Sequence, residues 1–395
     1  MNGTTPHRLR ILNILPTLSY GGMERLISDM ARRIDRSRFQ FGVLCLQYLG
    51  RFSEGLEEYA DVILAPRQWR GSLLWPRELA TTIRQYDPHV VHCHSGVWYK
   101  AARAARMAGV TAVIHTEHGR QTPDPLVYRI FDGVAARKTD RVIAVSEVLA
   151  EQLRRSIVKQ KAPIQVILNG VDTAVFRPRP GSPELRTELS IPADAFVIGS
   201  IGRLEHIKGY DVMVRAYSLV KRILPDRPMV LLLAGEGSER ENLEALARSA
   251  GSSQGVRFLG WRDDITSLHA IFDLYTLSSR SEGTSVSLLE AMSAEICPVV
   301  TDVGGNRAVL GPSLAHRLVQ SDNPAALAEG WAAAITAEDR RKQDAETARK
   351  SVVRRFDVRR MVHAYEHLYH EVLEECGRQP QPAAGLRSDR PSESA

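Results

Sequence analysis

Three short stretches of this 395-residue sequence gather residue types suited to holding phosphates and sugar hydroxyls. In the first, Thr17-Leu-Ser-Tyr-Gly21-Gly22, an apolar strand-like run ends in two glycines and passes directly into a helical pattern. Glycines at such a turn let backbone N–H groups approach an anion, and the helix N-terminus adds a favourable dipole. The same pair also serves where only a turn is required. In the second, Gly202-Arg203 and Lys208-Gly209 follow another apolar run, so a forked guanidinium and a point-charge ammonium can converge on a diphosphate. In the third, Ser281-Glu282-Gly283-Thr284-Ser285 leads to Glu290. One carboxylate precedes a helix start and the other lies two turns inside, with the amides of Gly283, Thr284 and Ser285 between them. Those amides suit a phosphate, and the carboxylates can accept hydrogen bonds from sugar hydroxyls. The competing structural reading is that Glu282 complements the helix dipole and Glu290 lies on a solvated helix face.

Two other patterns bear on chemistry. His92 and His94 share one face of a strand, and His115 and His118 lie on the next strand and its loop, a spacing that admits a metal site as well as plain packing. The dinucleotide fingerprint of three glycines is missing. Gly21-Gly22 lacks the third, and after Gly235-Glu-Gly237 its place is taken by Arg240, which argues against a dinucleotide-dependent oxidoreductase.

The elements that must position these residues follow from the alternation of short apolar runs with helical patterns. Strands are expected at residues 9–15, 39–46, 89–92, 112–115, 141–145 and 164–168, and again at 196–201, 229–234, 256–259, 273–277 and 297–301. Met23, Leu26, Ile27, Met30 and Ile34 recur at helical spacing, with Arg25, Arg32 and Arg33 outside the stripe. This is the sequence form of a parallel sheet covered by helices. Between residues 169 and 193 the pattern stops and prolines 178, 180, 183 and 192 accumulate, as in an interdomain connection. The expected class is therefore α/β, with two Rossmann-like doubly wound domains facing a cleft: residues 1–168, a linker at 169–193, and residues 194–376. The tail at 377–395, rich in Pro, Ser, Gln and Arg, is expected to be disordered.

Composition limits the class of function. With 44% hydrophobic and 25% charged residues the chain is an ordinary globular protein. It contains no run of some 18 apolar residues, and the N-terminus has no secretory pattern. Four scattered cysteines suggest reduced thiols and a cytoplasmic setting. Residues 1–168 hold 24 Lys plus Arg against 15 Asp plus Glu, whereas residues 169–395 hold 28 against 31. The first half thus suits an anionic partner, an acidic acceptor or a lipid surface, or simply carries a solvated basic face. Its cations are dispersed, and no nucleic-acid motif accompanies them.

Taken in order, the motifs resemble the retaining glycosyltransferases of family 4, with the two-domain GT-B fold. The matching elements include the Gly21-Gly22 loop, Val90-Val91-His92-Cys-His94, Thr116-Glu-His118-Gly119, Arg141-Val-Ile-Ala-Val-Ser146, Asn169-Gly170-Val171-Asp172, Gly202-Arg203 to Lys208-Gly209, Ala234-Gly235-Glu-Gly237, Phe258-Leu-Gly260, Glu282 to Glu290 and Thr301-Asp302-Val-Gly304-Gly305. The resemblance implies a nucleotide-sugar donor bound mainly by the second domain. Arg203 and Lys208 would hold its diphosphate, Glu290 its ribose hydroxyls and Glu282 its sugar. The amides of Gly283, Thr284 and Ser285 would complete the phosphate cradle, Gly22 would cover the diphosphate on closure, and His118 would approach the transferred sugar. The base would rest near Gly235 and residues 258–262, including Arg262. No metal or other cofactor is implied. Departures are Glu295, where relatives commonly have Gly, Thr284-Ser285, where an aromatic-Pro pair is frequent, and Asn306-Arg307.

No residue of these motifs is an obvious nucleophile on the far face of the donor sugar. The expected chemistry is same-face transfer of a hexose-type sugar to a glycan or lipid-linked acceptor, in cell-surface polysaccharide or glycolipid assembly. The alternatives are a nucleotide-sugar epimerase of the same fold and an inactive sugar-nucleotide-binding scaffold. Residues 67–75 and 98–106 mix aromatics with cations, which suits peripheral contact with an anionic membrane at the inner face of the plasma membrane.

Overall fold

The computed structural model describes residues 8–19, 21–67, 75–120, 125–159 and 161–377. The expected tail beyond Gly377 and most of the aromatic and basic segment 67–75 lie outside the described residues. Two parallel sheets dominate. The first contains β1 (Leu9–Thr17), β2 (Phe39–Tyr48), β3 (Asp61–Leu64), β4 (Val90–His94), β5 (Ala112–Glu117), β6 (Arg141–Ala144) and β7 (Ile164–Val166) in the order β3-β2-β1-β4-β5-β6-β7. The second contains β8 (Phe196–Ile201), β9 (Met229–Ala234), β10 (Val256–Gly260), β11 (Leu274–Leu277), β12 (Pro298–Thr301) and β13 (Leu318–Val319) in the order β10-β9-β8-β11-β12-β13. Beyond the expected strands, the sheets contain β3 and the two-residue β13. Both lie at sheet edges, where a short half-buried strand has too few residues to show an apolar pattern.

In the first half the helices are α1 (Gly22–Arg33), α2 (Arg77–Tyr86), α3 (Trp98–Ala108), α4 (Leu126–Ala136) and α5 (Glu147–Leu153), and a short α6 (Pro183–Glu188) lies within the linker. The second half has α7 (Tyr210–Ile223), α8 (Arg240–Ser249), α9 (Ile265–Ile271), α10 (Val286–Ser293), α11 (Asn306–Leu310), α12 (Pro324–Thr336), α13 (Glu338–Arg355) and α14 (Val358–Glu375). Each sheet carries a separate apolar core on either face, which is why its strands read as nearly continuous Val, Leu and Ile. Among the described residues no helix is long and apolar enough to cross a membrane.

Packing divides the stretch 194–376, read from the sequence as one domain. Val358, Met361, Val362, Tyr365, Leu368 and Tyr369 of α14 join the core of the first sheet. Arg141 on β6 pairs with Glu371 and Glu375 at 3.0 and 2.7 Å. The C-terminal helix therefore completes the first domain. An amphipathic stripe states that a helix packs against something, but not against which sheet, so the sequence pattern left this open.

In each sheet the strand order reverses once, between β1 and β4 and between β8 and β11. At such a switch point the loops leaving adjacent strands part to opposite faces and leave a crevice at the carboxyl edge. The loop after β1 is Gly21-Gly22, and the loop after β4 follows His94. The loop after β8 carries Arg203 and Lys208, and the loop after β11 carries Glu282. The chemistry-bearing stretches thus occupy the crevices of the two sheets.

Candidate active site

The two switch-point loops of the second sheet meet in an ion pair. Lys208 Nζ donates to Glu282 Oε1 at 2.7 Å, and Ser279 Oγ donates to the same oxygen at 2.7 Å. Glu282 is buried and Lys208 mostly so. The ammonium expected at the diphosphate and the carboxylate expected at the sugar are thus neighbours in one polar cluster. Two glycines make this possible. A Cβ on Gly304, whose φ is +52°, would lie 1.7 Å from the Glu282 carbonyl oxygen, and one on Gly283 would lie 2.0 Å from the His118 carbonyl oxygen of the first domain. Arg203 projects further out. Its side chain is 54% exposed, it pairs with Glu205 at 2.9 Å, and it lowers the proton affinity of Glu24, whose carboxyl burial nonetheless raises.

Helix α10 begins at Val286, with Ser285 as its N-cap accepting from the Leu288 amide. The amides of Gly283 and Thr284 accordingly precede the helix. Thr284 is wedged between domains: its hydroxyl donates to the Val145 carbonyl at 2.7 Å, and its own carbonyl accepts from Asn169 Nδ2 at 3.0 Å. The hydroxyls of Thr284 and Ser285 are therefore engaged by protein, which leaves the backbone as the part able to face a ligand. Glu290 is 6% exposed, so the solvated-face reading does not hold. Burial pushes its carboxyl up to about 7 against the opposing charge of Arg25, with Asp29 adding to the rise. Arg25 reaches it from α1 of the first domain, Nε to Oε1, at 3.6 Å. Arg25 was read from the sequence only as lying outside an apolar stripe, yet it links the two domains at the site. A Cβ on Gly22, one turn earlier, would stand 3.0 Å from the Val286 side chain.

Gly235, at the end of β9, lies against Gly202 and donates its N–H to the Gly260 carbonyl at 2.8 Å. It borders the loop that carries Arg203. Arg262 does not join this cluster. Its guanidinium is held by Asp264 at 2.7 and 2.6 Å and by Glu188 at 2.9 Å, in ion pairs that tie it to α6 of the linker. A surface recess of about 450 Å³ lined by Arg177, Arg179, Ser182 and Ser267 also belongs to the linker side and gathers none of the predicted residues.

The four histidines are accounted for individually. His92 hydrogen-bonds Tyr369 at 2.9 Å and Thr116 at 2.7 Å, and His115 stacks on Trp98 with ring centroids 3.9 Å apart. His94 lies between Asn13 Oδ1 at 3.1 Å and His118 Nε2 at 3.1 Å. Among the described residues no group of three His, Cys, Asp or Glu side chains could hold a metal ion. Burial holds His92 and His94 well below the ordinary imidazole range and brings His118 down to about 4, so these three rings are neutral at pH 7. His118 is also anchored through its backbone, its N–H donating to Ser95 Oγ at 2.8 Å, while Ser95 donates to Glu117.

Comparison with known proteins identifies the family and the fold. The family model described as Glycosyltransferase Family 4 matches residues 20–175, and that described as Glycosyl transferases group 1 matches residues 181–351. The chain is 26% identical over 327 residues to the Escherichia coli UDP-Gal:alpha-D-GlcNAc-diphosphoundecaprenol alpha-1,3-galactosyltransferase, covering 78% of this chain and 83% of that protein. Among solved structures, a glycosyltransferase from Rickettsia africae matches with a TM-score of 0.77 at 22% identity, covering 93% of this chain and 99% of that one. Anabaena HepE in complex with UDP-glucose also matches with a TM-score of 0.77 at 22% identity, covering 92% of this chain and 100% of that one. With one family model spanning the first lobe and the other the second, over a GT-B architecture, the chain belongs to glycosyltransferase family 4.

Proposed function

We propose that this glycosyltransferase takes a hexose-type sugar from a uridine-diphosphate donor, with retention at the anomeric carbon, and passes it to a glycan or lipid-linked acceptor. The observation that carries the reading is the convergence of Lys208–Glu282 and Arg25–Glu290 on the facing switch-point crevices. One pair supplies a cation for a diphosphate beside a carboxylate for a sugar. The other supplies a buried carboxylate able to accept from a ribose diol. The uridine assignment draws on relatives: HepE is described in complex with UDP-glucose, and the Escherichia coli enzyme is named for UDP-Gal.

In this mechanism the glycosidic oxygen leaves with the diphosphate while the acceptor hydroxyl enters from the same face. The departing phosphate oxygen takes the hydroxyl proton. Lys208 and Arg203 stabilise the charge that develops on the diphosphate, a preorganised electrostatic contribution, so no resident metal is called for. Glu282, already bonded by Lys208 and Ser279, holds a sugar hydroxyl rather than attacking carbon.

The acceptor reading places the enzyme at the cytoplasmic face of the plasma membrane, in polysaccharide or glycolipid assembly. Its support is the surface of α4. Leu126, Val127, Tyr128 and Ile130 are 58–66% exposed, and Arg137, Lys159 and Lys161 form a cationic group beside the far end of the same helix, desolvation and then the repulsion of Arg137 and Lys159 lowering the Lys161 ammonium. A helix with an exposed apolar tip and a cationic group at its other end suits an anionic bilayer.

The test is product analysis with UDP-glucose and UDP-galactose in turn and a diphosphoundecaprenol-linked sugar as acceptor. An α-linked product supports retention. A β-linked product overturns it, and an epimerised donor or no turnover with any nucleotide sugar overturns the transferase reading.

A further inference from the structure

Asn13 is a costly residue where it stands. It lies in the middle of β1, flanked by Leu12 and Ile14, with no exposure, and a buried amide must be bonded on both of its ends. Its Nδ2 donates to the Gly42 carbonyl at 3.2 Å and its Oδ1 meets His94 Nε2 at 3.1 Å. This orientation is imposed by chemistry. The Gly42 carbonyl can only accept, so the nitrogen must face it and the oxygen must face the imidazole. His94 is therefore the donor at Nε2, and as a neutral ring its Nδ1 accepts. The partner at that Nδ1 is His118 Nε2 at 3.1 Å, which must then carry the hydrogen. Only Nδ1 of His118 is left over, a bare lone pair that is buried and has no hydrogen-bond partner.

The other branch of the cluster imposes no such direction. His92 ends on the hydroxyls of Thr116 and Tyr369, and hydroxyls rotate to donate or accept. The Asn13 branch is polar in one sense because it terminates on a carbonyl.

We propose that Asn13 and His94 are positioning residues that fix His118 as the Nε2–H tautomer and so present its Nδ1 as a hydrogen-bond acceptor for a hydroxyl of the donor sugar. The proposal rests on the reading that this site binds a nucleotide sugar beside His118 and Glu282. It assigns a function to an asparagine and a histidine that belong to the interior of the sheet, and it gives the orphaned nitrogen of His118 a partner that arrives only with the sugar.

Two measurements test it. In the unliganded protein, nitrogen-15 correlation spectra of labelled histidines assign the tautomers directly. The expected result is Nε2–H for both His94 and His118 at pH 7. An Nδ1–H tautomer or a protonated ring at His118 overturns the relay, whatever the enzyme transfers. The second measurement compares UDP with UDP-glucose, as ligands of the parent protein and of Asn13→Leu. Removing the anchor should weaken UDP-glucose about 10-fold, the scale of one lost hydrogen bond, while UDP, which lacks the transferred sugar, changes by less than twofold. Equal weakening of both ligands, or of neither, overturns the role. Asn13→Asp is the conservative control. If its carboxyl is protonated, which the same histidine spectra report through a neutral His94, it still donates to Gly42 and accepts from His94 and should keep the UDP-glucose affinity of the parent; loss of that affinity with His94 neutral and UDP binding intact counts against the relay. If the parent protein binds UDP but no UDP-sugar, the donor reading fails and the tautomer spectra still decide the relay.

Discussion

Glu290 offers the sharpest quantitative test, because one side chain is asked to be costly in the empty protein and useful in the loaded one. Its carboxyl value rises from 4.5 to about 7, chiefly through burial. The folded protein then holds the proton more tightly than the unfolded chain, and between pH 4.5 and pH 7 it carries more protons. Stability therefore falls as pH rises through that window. Each pH unit is worth at most about 1.4 kcal/mol, so integration from pH 5 to pH 8 gives a loss of about 2.5 kcal/mol attributable to this group. Glu290→Gln keeps the shape and removes the titration. In urea unfolding followed by circular dichroism without nucleotide, the variant should gain about 2.5 kcal/mol on the parent as pH is raised from 5 to 8. The same variant should bind UDP on the order of 10-fold more weakly at pH 8, where the parent presents a carboxylate to the ribose diol, because hydrogen bonds to charged groups are the stronger ones. Stability profiles that stay parallel within about 0.5 kcal/mol would refute the burial argument. A variant with unchanged UDP affinity would refute the assignment to ribose.

Lys208→Ala should lower kcat on the order of 100-fold; full turnover would remove Lys208 from the mechanism. Glu295 has a φ of +64° just past the end of α10, a position that favours glycine, so Glu295→Gly should raise stability by about 1 kcal/mol at the cost of only a partly exposed contact with Arg349 at 3.9 Å. No gain in urea midpoint would mean that the turn is adapted to its glutamate. For α4, replacing Leu126 and Ile130 by Ser should abolish sedimentation with anionic phosphatidylglycerol vesicles at low salt. Binding that survives the change, or that is absent from the parent, would dispose of this surface as a membrane contact.

Most of the candidate site could be read from sequence because phosphate and sugar chemistry uses residues that stand out in apolar surroundings. Gly21-Gly22, Arg203, Lys208 and Glu282 each interrupt a strand-to-helix passage, Glu290 lies in the helix that follows one, and the alternation of strands with helices puts such passages at carboxyl edges. What was not legible depends on contacts between distant segments. Arg25 lies on the polar side of its helix by periodicity, and nothing local says that the polar side meets Glu290 of the other domain. Arg262 illustrates the reverse: its neighbour Asp264 was visible, but Glu188 on the linker helix was not, and together they engage a cation that the motif left free. Asn13 broke an apolar strand plainly enough, yet its meaning required both Gly42 and His94 in place.

The return of α14 to the first domain connects fold to mechanism. The chain crosses between domains twice, at the linker and before α14, and the two crossings touch: Val171 accepts from the Val358 amide at 2.9 Å and donates to the Phe356 carbonyl at 2.8 Å. A Cβ on Gly170 would lie 2.6 Å from the Val358 Cα, so the two strands are as close as backbones allow. Two connections bound side by side at one point leave the domains free to rotate about that point while opposing separation or shear elsewhere. Further contacts between the domains include Gly22 with Val286, Arg25 with Glu290 and His118 with Gly283. A rotation about that point that parted the crevices would have to separate Arg25 from Glu290.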